Sequence, residues 1–196
     1  MQNVDFFIII TILVRLMLDN ISNQIKECTN CHLYKGRTNA VPGEGPENAK
    51  IMLIGEAPGK NEDETGRPFI GRAGNLLTKC LDEAGLDRKK IFITSVVKCR
   101  PPENRNPKPS ELKACLPYNS KQIDVINPKI VGLMGNFACK QIIGKTGVIK
   151  LRGKPIVKEG TVFFPIFHPA AVLRFPWKYR KEFITDLRKL KKMVNK

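Results

Sequence analysis

The chain has 196 residues, 42% of them hydrophobic, which suits one compact domain or at most two small ones and is too apolar for a disordered tail. Lys and Arg total 34 against 18 acidic residues, a formal net charge of +16, so a polyanionic partner, most often nucleic acid, is expected. A basic surface that serves only solubility or heat resistance is the alternative, and the basic residues between Arg174 and Lys196 suit either.

The chain opens on an apolar run, Phe6 to Val14 (FFIIITILV), followed at once by Arg15. A spanning helix needs ~20 apolar residues, and this run is about half that. It also lacks the basic flank and the small-residue cleavage site of a signal peptide, so a cytoplasmic protein with no membrane partner is expected. Met17 begins a plausible shorter product, so residues 1–17 read as an apolar extension of uncertain status and 18–196 as the folded domain. Gln2 with Phe6 and Phe7 loosely resembles a sliding-clamp-binding peptide, but with the wrong spacing.

From Leu18 to Glu27 the pattern is helical. Lys50–Ile54 reads as a buried strand, and Ala73–Ala84 as a helix stopped by Gly85. Ile91–Thr94 is a second strand. Ser110 can cap a helix to about Ile126, which Pro117 must bend or split. Lys129–Met134 is a third strand with a helix from Asn136 to Ile143 behind it. Thr161–Phe167 is a fourth strand, and Trp177–Val194 is a terminal amphipathic helix. Strands alternating with helices imply an α/β fold, a four-stranded parallel sheet between helices.

Ligands of such folds sit beyond the carboxyl ends of the strands. There the sequence is chemically unusual. Gly55-Glu56-Ala57-Pro58-Gly59 follows the first strand, Ser95 and VVKCRPP the second, and His168-Pro169 the fourth. Three distinctive loops therefore converge on one edge of the sheet. Phe69, within GRPFIGRAG, is equally readable as a core plug and as a stacking platform for a base. His168 stands at a strand end before a proline, with Arg174 six residues on. His32 directly follows a cysteine and is more simply its neighbour. The chain has no phosphate-binding P-loop, no H-x-E and no nucleophile elbow, so ATP hydrolysis, zinc-dependent base deamination and serine hydrolase chemistry are not indicated.

There are six cysteines. Cys28 and Cys31 form C-x-x-C just after a helix, and Cys99 and Cys115 flank a polar, Pro-rich segment. Four loop thiolates can hold a tetrahedral zinc or an iron–sulfur cluster, although C-x-x-C also serves redox dithiols. Cys80 and Cys139 fall among apolar residues of helices and read as core.

Taken together, GEAPGKNEDETGRPFIGRAGNLL, VVKCRPPENRNPKPSE, HPAAVLR, VPGEG at Val41–Gly45 and the order of the four loop cysteines resemble the family-four, iron–sulfur uracil-DNA glycosylases. The resemblance runs from about Leu18 to the C-terminus. It implies a monofunctional enzyme that flips uracil out of DNA, hydrolyses its N-glycosidic bond and leaves an abasic site. It implies a 4Fe–4S cluster on Cys28, Cys31, Cys99 and Cys115. It places the uracil pocket on Gly55, Glu56, Ala57, Phe69, Ser95 and His168, with Glu56 and His168 catalytic. Leu173 would wedge into the duplex and Arg174 grip phosphate, and a monomer is expected. Two departures matter. Related glycosylases carry an aspartate where Ala57 stands, which leaves Glu56 as the candidate for positioning the water. Ser95 stands where the family is expected to have asparagine, which implies broader acceptance of bases. Two other readings stay open: a non-enzymatic nucleic-acid-binding module folded by its metal, and a glycosylase for other damaged bases.

Overall fold

The computed structural model describes residues 2–194 as backbone and 8–194 with their side chains. Its core is a five-stranded sheet of order β2-β1-β3-β5-β4. The strands are β1 (Ile51–Gly55), β2 (Ile91–Ser95), β3 (Ile130–Met134), β4 (Ile156–Lys158) and β5 (Thr161–Ile166). β1, β2, β3 and β5 are parallel, as their uniformly apolar sequences require of strands covered on both faces. The extra strand, β4, pairs antiparallel with β5 across a tight turn at Glu159-Gly160. It was not visible in the sequence because it is three residues long and largely exposed, with no apolar face to give a period.

The helices are α1 (Gln2–Glu27), α2 (Lys60–Thr65), α3 (Arg72–Glu83), α4 (Pro109–Ile126), α5 (Gly135–Ile143), α6 (Val148–Leu151), α7 (Pro169–Arg174) and α8 (Pro176–Val194). α4 is one helix despite Pro117, which lies on the solvent side where the carbonyl it leaves unpaired can be hydrated. Its start is not capped by Ser110. Glu111 closes the first turn instead, accepting the Lys108 N–H at 2.7 Å and pairing with Arg105.

α1 differs most from expectation. It runs unbroken through residue 17, so the expected boundary at 17/18 falls inside a helix. The length argument against a membrane therefore fails, since Ile8–Glu27 is long and apolar enough to cross one. Within that stretch, however, Leu18, Ile21 and Ile25 are buried in the core on the side of α1 that packs against α4. Burial, not a break in the chain, marks the change at residue 18. The side chains of Gln2, Phe6 and Phe7 lie outside the described residues.

The chain enters at β1 in the middle of the sheet, moves to β2 on one side, then returns past β1 to β3. The loops after β1 and β3 thus diverge, which opens a crevice at the carboxyl ends of the strands.

Candidate active site and cysteine centre

Gly55 ends β1 directly opposite Ser95, which ends β2. His168 follows β5 and caps α7. Phe69 arrives on the loop between α2 and α3. Ser95, His168 and Phe69 line one pocket of about 290 Å³ together with Val41, Ala57, Pro58, Glu62 and Asn104, while Gly55 is not among the lining residues and lies behind the Phe69 ring. A larger cleft of about 860 Å³ opens beside the cysteine loop, lined by residues 29–36 and parts of 100–111. The smaller pocket is the candidate active site, because it alone gathers the convergent loop residues.

Phe69 is 8% exposed, with its ring centroid 5.9 Å from that of His168 at a 47° tilt. Its φ is +51°, a left-handed conformation that costs a side-chain-bearing residue on the order of 1–3 kcal/mol. Two glycines make room for it. A Cβ on Gly55 would sit 2.3 Å from the Phe69 ring, and one on Gly74 would sit 1.9 Å from the Phe69 carbonyl oxygen. Glu62 holds the loop in place. Its carboxylate accepts the N–H groups of Ile70 at 2.9 Å, Gly71 at 2.8 Å and Gly59 at 3.1 Å. It therefore ties the GEAPG turn to the loop that carries Phe69. Sequence reasoning missed Glu62, although its place three residues after a helix-capping glycine is the signature of a capping box.

The His168 imidazole is set by its own helix. Nδ1 accepts the Ala170 N–H at 3.2 Å, so the ring proton of the neutral form must be on Nε2. Nε2 is sealed from solvent and has no hydrogen-bond partner among the described residues. Burial pushes its pKa down to about 4, so the ring is neutral at physiological pH and offers an N–H to the pocket. Ser95 is buried in the wall. Asn104 also lines the pocket, its Oδ1 accepting from Arg100 Nε at 2.8 Å. Glu56 is not among the lining residues. It flanks Ala57, half-buried, and burial raises its carboxyl pKa. On α7, Leu173 is half-buried and Arg174 exposed.

Behind the pocket lies a buried polar hub. The ammonium of Lys98 is fully enclosed and donates to Thr94 Oγ1 at 2.6 Å, Gln122 Oε1 at 2.7 Å and Asn119 Oδ1 at 3.1 Å. Thr94 and Gln122 both donate to the Pro42 carbonyl, and Asn119 donates to the carbonyls of Val96 and Cys115. Loop 41–42, the end of β2 and α4 are thereby joined. With no carboxylate in the cage, burial dominates and lowers the Lys98 pKa to about 7.

The hub adjoins the cysteines. Cys28 and Cys31 follow α1, Cys99 follows β2 and Cys115 lies on α4. They form one electrostatic neighbourhood: burial and then Cys28 raise the Cys31 thiol, Cys31 and Cys28 act on Cys99, and Cys99 and Cys31 act on Cys115. Burial raises the Cys99 thiol and pushes Cys115 up to about 11. Against this, Arg37 donates to Cys99 Sγ at 3.1 Å and to the Cys28 carbonyl at 3.0 Å. Among the described residues, no three or more ligating side chains come close enough to share a single metal ion. The donor set, four thiols with no histidine or carboxylate among them, is of the kind that holds either an iron–sulfur cluster or a thiolate-bound zinc. Cys80 and Cys139 are buried in α3 and α5 and belong to the core.

The sequence profile of the uracil DNA glycosylase superfamily matches residues 42–191. The chain is similar to the type-4 uracil-DNA glycosylase of Sulfurisphaera tokodaii, with 46% identity across 90% of this chain and 84% of that one. It is similar to the type-4 enzyme of Thermotoga maritima at 41% identity, covering 92% and 96%. To the type-5 uracil-DNA glycosylase of Thermus thermophilus it is 34% identical, over 56% and 57%.

Proposed function

The chain belongs to the uracil DNA glycosylase superfamily and is a DNA-repair hydrolase that removes uracil from DNA; from that premise we propose how its residues do so. The observation that carries the proposal is the sealed, unpartnered Nε2–H of a neutral His168. A base inside a duplex must be flipped out to be reached. The flipped uracil enters the pocket on the open face of the Phe69 ring, which Gly55 backs from behind, and Phe69 holds its face. Breaking the N-glycosidic bond leaves negative charge on the uracil oxygens. A fixed neutral donor such as His168, with the backbone around Gly55–Ala57, stabilises that charge as it develops. Glu56 takes the electrostatic role toward the attacking water, and Asn104 is a second polar group able to hold it. Leu173 wedges into the opened step and Arg174 grips phosphate.

Strand-cleaving glycosylases form a Schiff base through an amine. No lysine lines the pocket among the described residues, so the product is an intact abasic site. Incubating the purified protein with uracil-containing DNA should give alkali-sensitive abasic sites and no borohydride-trapped adduct; the absence of such sites would refute the proposal. Ser95, shorter than asparagine and free to donate or accept, leaves base selection looser. Equal ratios of excision rates for wild type and Ser95→Asn, across uracil and other damaged bases, would show that it does not.

Cys28, Cys31, Cys99 and Cys115 would hold a 4Fe–4S cluster, whose contribution is to pin the C-x-x-C loop, the segment after β2 and α4 to one another. The purified protein should be brown, with iron and sulfide in stoichiometric amounts. A colourless protein with one zinc per chain would overturn this. The substrate is uracil-containing DNA, handled by a monomer in the cytoplasm.

A further inference from the structure

From the last residue of the pocket helix α7, the chain reads Arg174-Phe175-Pro176-Trp177-Lys178-Tyr179-Arg180-Lys181, four cations and no carboxylate. Trp177 is 80% exposed and Phe175 40%. A tryptophan this exposed forgoes ~1.5–3 kcal/mol or more that burial of a large apolar side chain would contribute. The ring is nonetheless held in place. Trp177 meets Phe175 edge-on at 5.8 Å, Phe175 meets Tyr179 edge-on at 6.1 Å, and Tyr179 lies 4.5 Å from Phe167, which is buried next to His168 in the chain. A ladder of four rings thus runs from the surface to the residue beside the pocket histidine. Pro176, the first residue of α8, fixes the turn between Phe175 and Trp177.

We propose that Phe175 and Trp177 form a stacking platform for an unpaired base of the DNA strand that carries the uracil, so that this chain captures single-stranded DNA beside its pocket. The inference rests on the glycosylase reading above. An exposed aromatic flanked by cations is the pairing that binds single strands without sequence preference, since every base offers a face and every nucleotide a phosphate. α7 is six residues long, so it carries the chain about 9 Å from His168 at ~1.5 Å per residue. That is about three nucleotide steps at ~3.4 Å each, within one bound strand. A base still paired and stacked in a duplex has no free face at that distance, whereas a single strand has.

Trp177 is the only tryptophan, so its fluorescence reports on the platform directly. Titrating the full-length protein with uracil-free oligo(dT) should quench it. Trp177→Ala should weaken oligo(dT) binding about 5- to 150-fold, the equivalent of ~1–3 kcal/mol of stacking. It should also raise KM for single-stranded uracil DNA more than for duplex, with kcat for the single strand held, and Trp177→Phe should restore most of the loss. Unquenched fluorescence while uracil is excised normally would overturn the proposal. So would equal quenching by uracil-free duplex, or equal KM changes on both substrates. Quenching by oligo(dT) without excision from either substrate would leave the platform standing and sink the glycosylase reading instead.

Discussion

The candidate active-site pocket and the cysteine centre lie on either side of the segment after β2, and they are built in opposite ways. The pocket is held by groups the chain itself supplies: the Glu62 carboxylate takes three backbone N–H groups, and an Ala170 N–H orients His168. The cysteine centre is a set of four neighbouring thiols, three of which (Cys31, Cys99 and Cys115) burial pushes toward the neutral form, with Arg37 as the cation in contact with Cys99. One region is organised before anything binds. The other brings together four sulfurs whose thiolate forms require added positive charge. Damage to the first should therefore appear as lost rate, and damage to the second as lost fold.

The largest effect should follow from Cys115→Ser, which removes the buried thiol that α4 would contribute to the proposed cluster. Structural metal sites contribute up to ~10 kcal/mol or more to folding. A loss of even several kcal/mol lowers Tm by more than ~10 °C in a chain of this size. Calorimetry and iron content should fall together; full iron loss with an unchanged Tm would abolish the contrast.

Lys98→Met tests the wall between the regions. It strips a donor from the buried oxygens of Thr94, Gln122 and Asn119, at ~1–3 kcal/mol for each group left unsatisfied. Since the hub touches both the end of β2 and α4, this variant should lose stability and excision rate together. A loss of stability alone would show that the hub serves only the cysteine side.

His168→Ala should cut single-turnover excision by ~10²–10³-fold. Its Tm should shift by only a few degrees, the scale of one lost helix cap. The same imidazole yields a pH prediction. Between about pH 4 and 6.5 the unfolded chain binds a proton there that the folded chain does not, so this contribution to stability is intact above pH 6.5 and is lost as pH falls toward 4. Excision should keep its fixed neutral donor over that range and suffer only on descending through about pH 4, where protonated Nδ1 can no longer accept from Ala170 and the ring loses its anchor. A rate that falls with a midpoint near 6.5 would mean the pocket does not shield Nε2.

The smallest effect separates the two roles of Phe69. Phe69→Ala should weaken capture of the flipped base by the ~1–3 kcal/mol of a stacked ring. Phe69→Gly should bind just as weakly but be the more stable of the two, since glycine adopts φ +51° without strain. If alanine proves the more stable, the loop relaxes and no strain is held there.

Much of this was legible beforehand because the signals were local. Continuous apolar runs marked β1, β2, β3 and β5, the first of them ended by Gly55, and the spacing of Leu76, Leu77 and Leu81 marked α3. Long motifs in a fixed order identified the family. What escaped was β4, too short and exposed to carry a period, and the course of α1, where length alone misjudged an apolar run that continues into a docked helix. Glu62, Asn104 and Lys98 escaped for another reason. A Glu in a charged stretch, an Asn in a Pro-rich loop and a Lys before a cysteine look solvated until the partners that desolvate them are known.

Residue order alone thus determined the chemistry available to this protein: which side chains end each strand, where four thiols occur, and how basic the chain is. Tertiary structure alone decided which of those groups face one another and which lose water. Desolvation turns His168 into a neutral donor, encloses an ammonium at Lys98 and places Phe69 against Gly55. Each depends on residues far apart in the chain, because burial is a property of the packed whole and no local pattern encodes it.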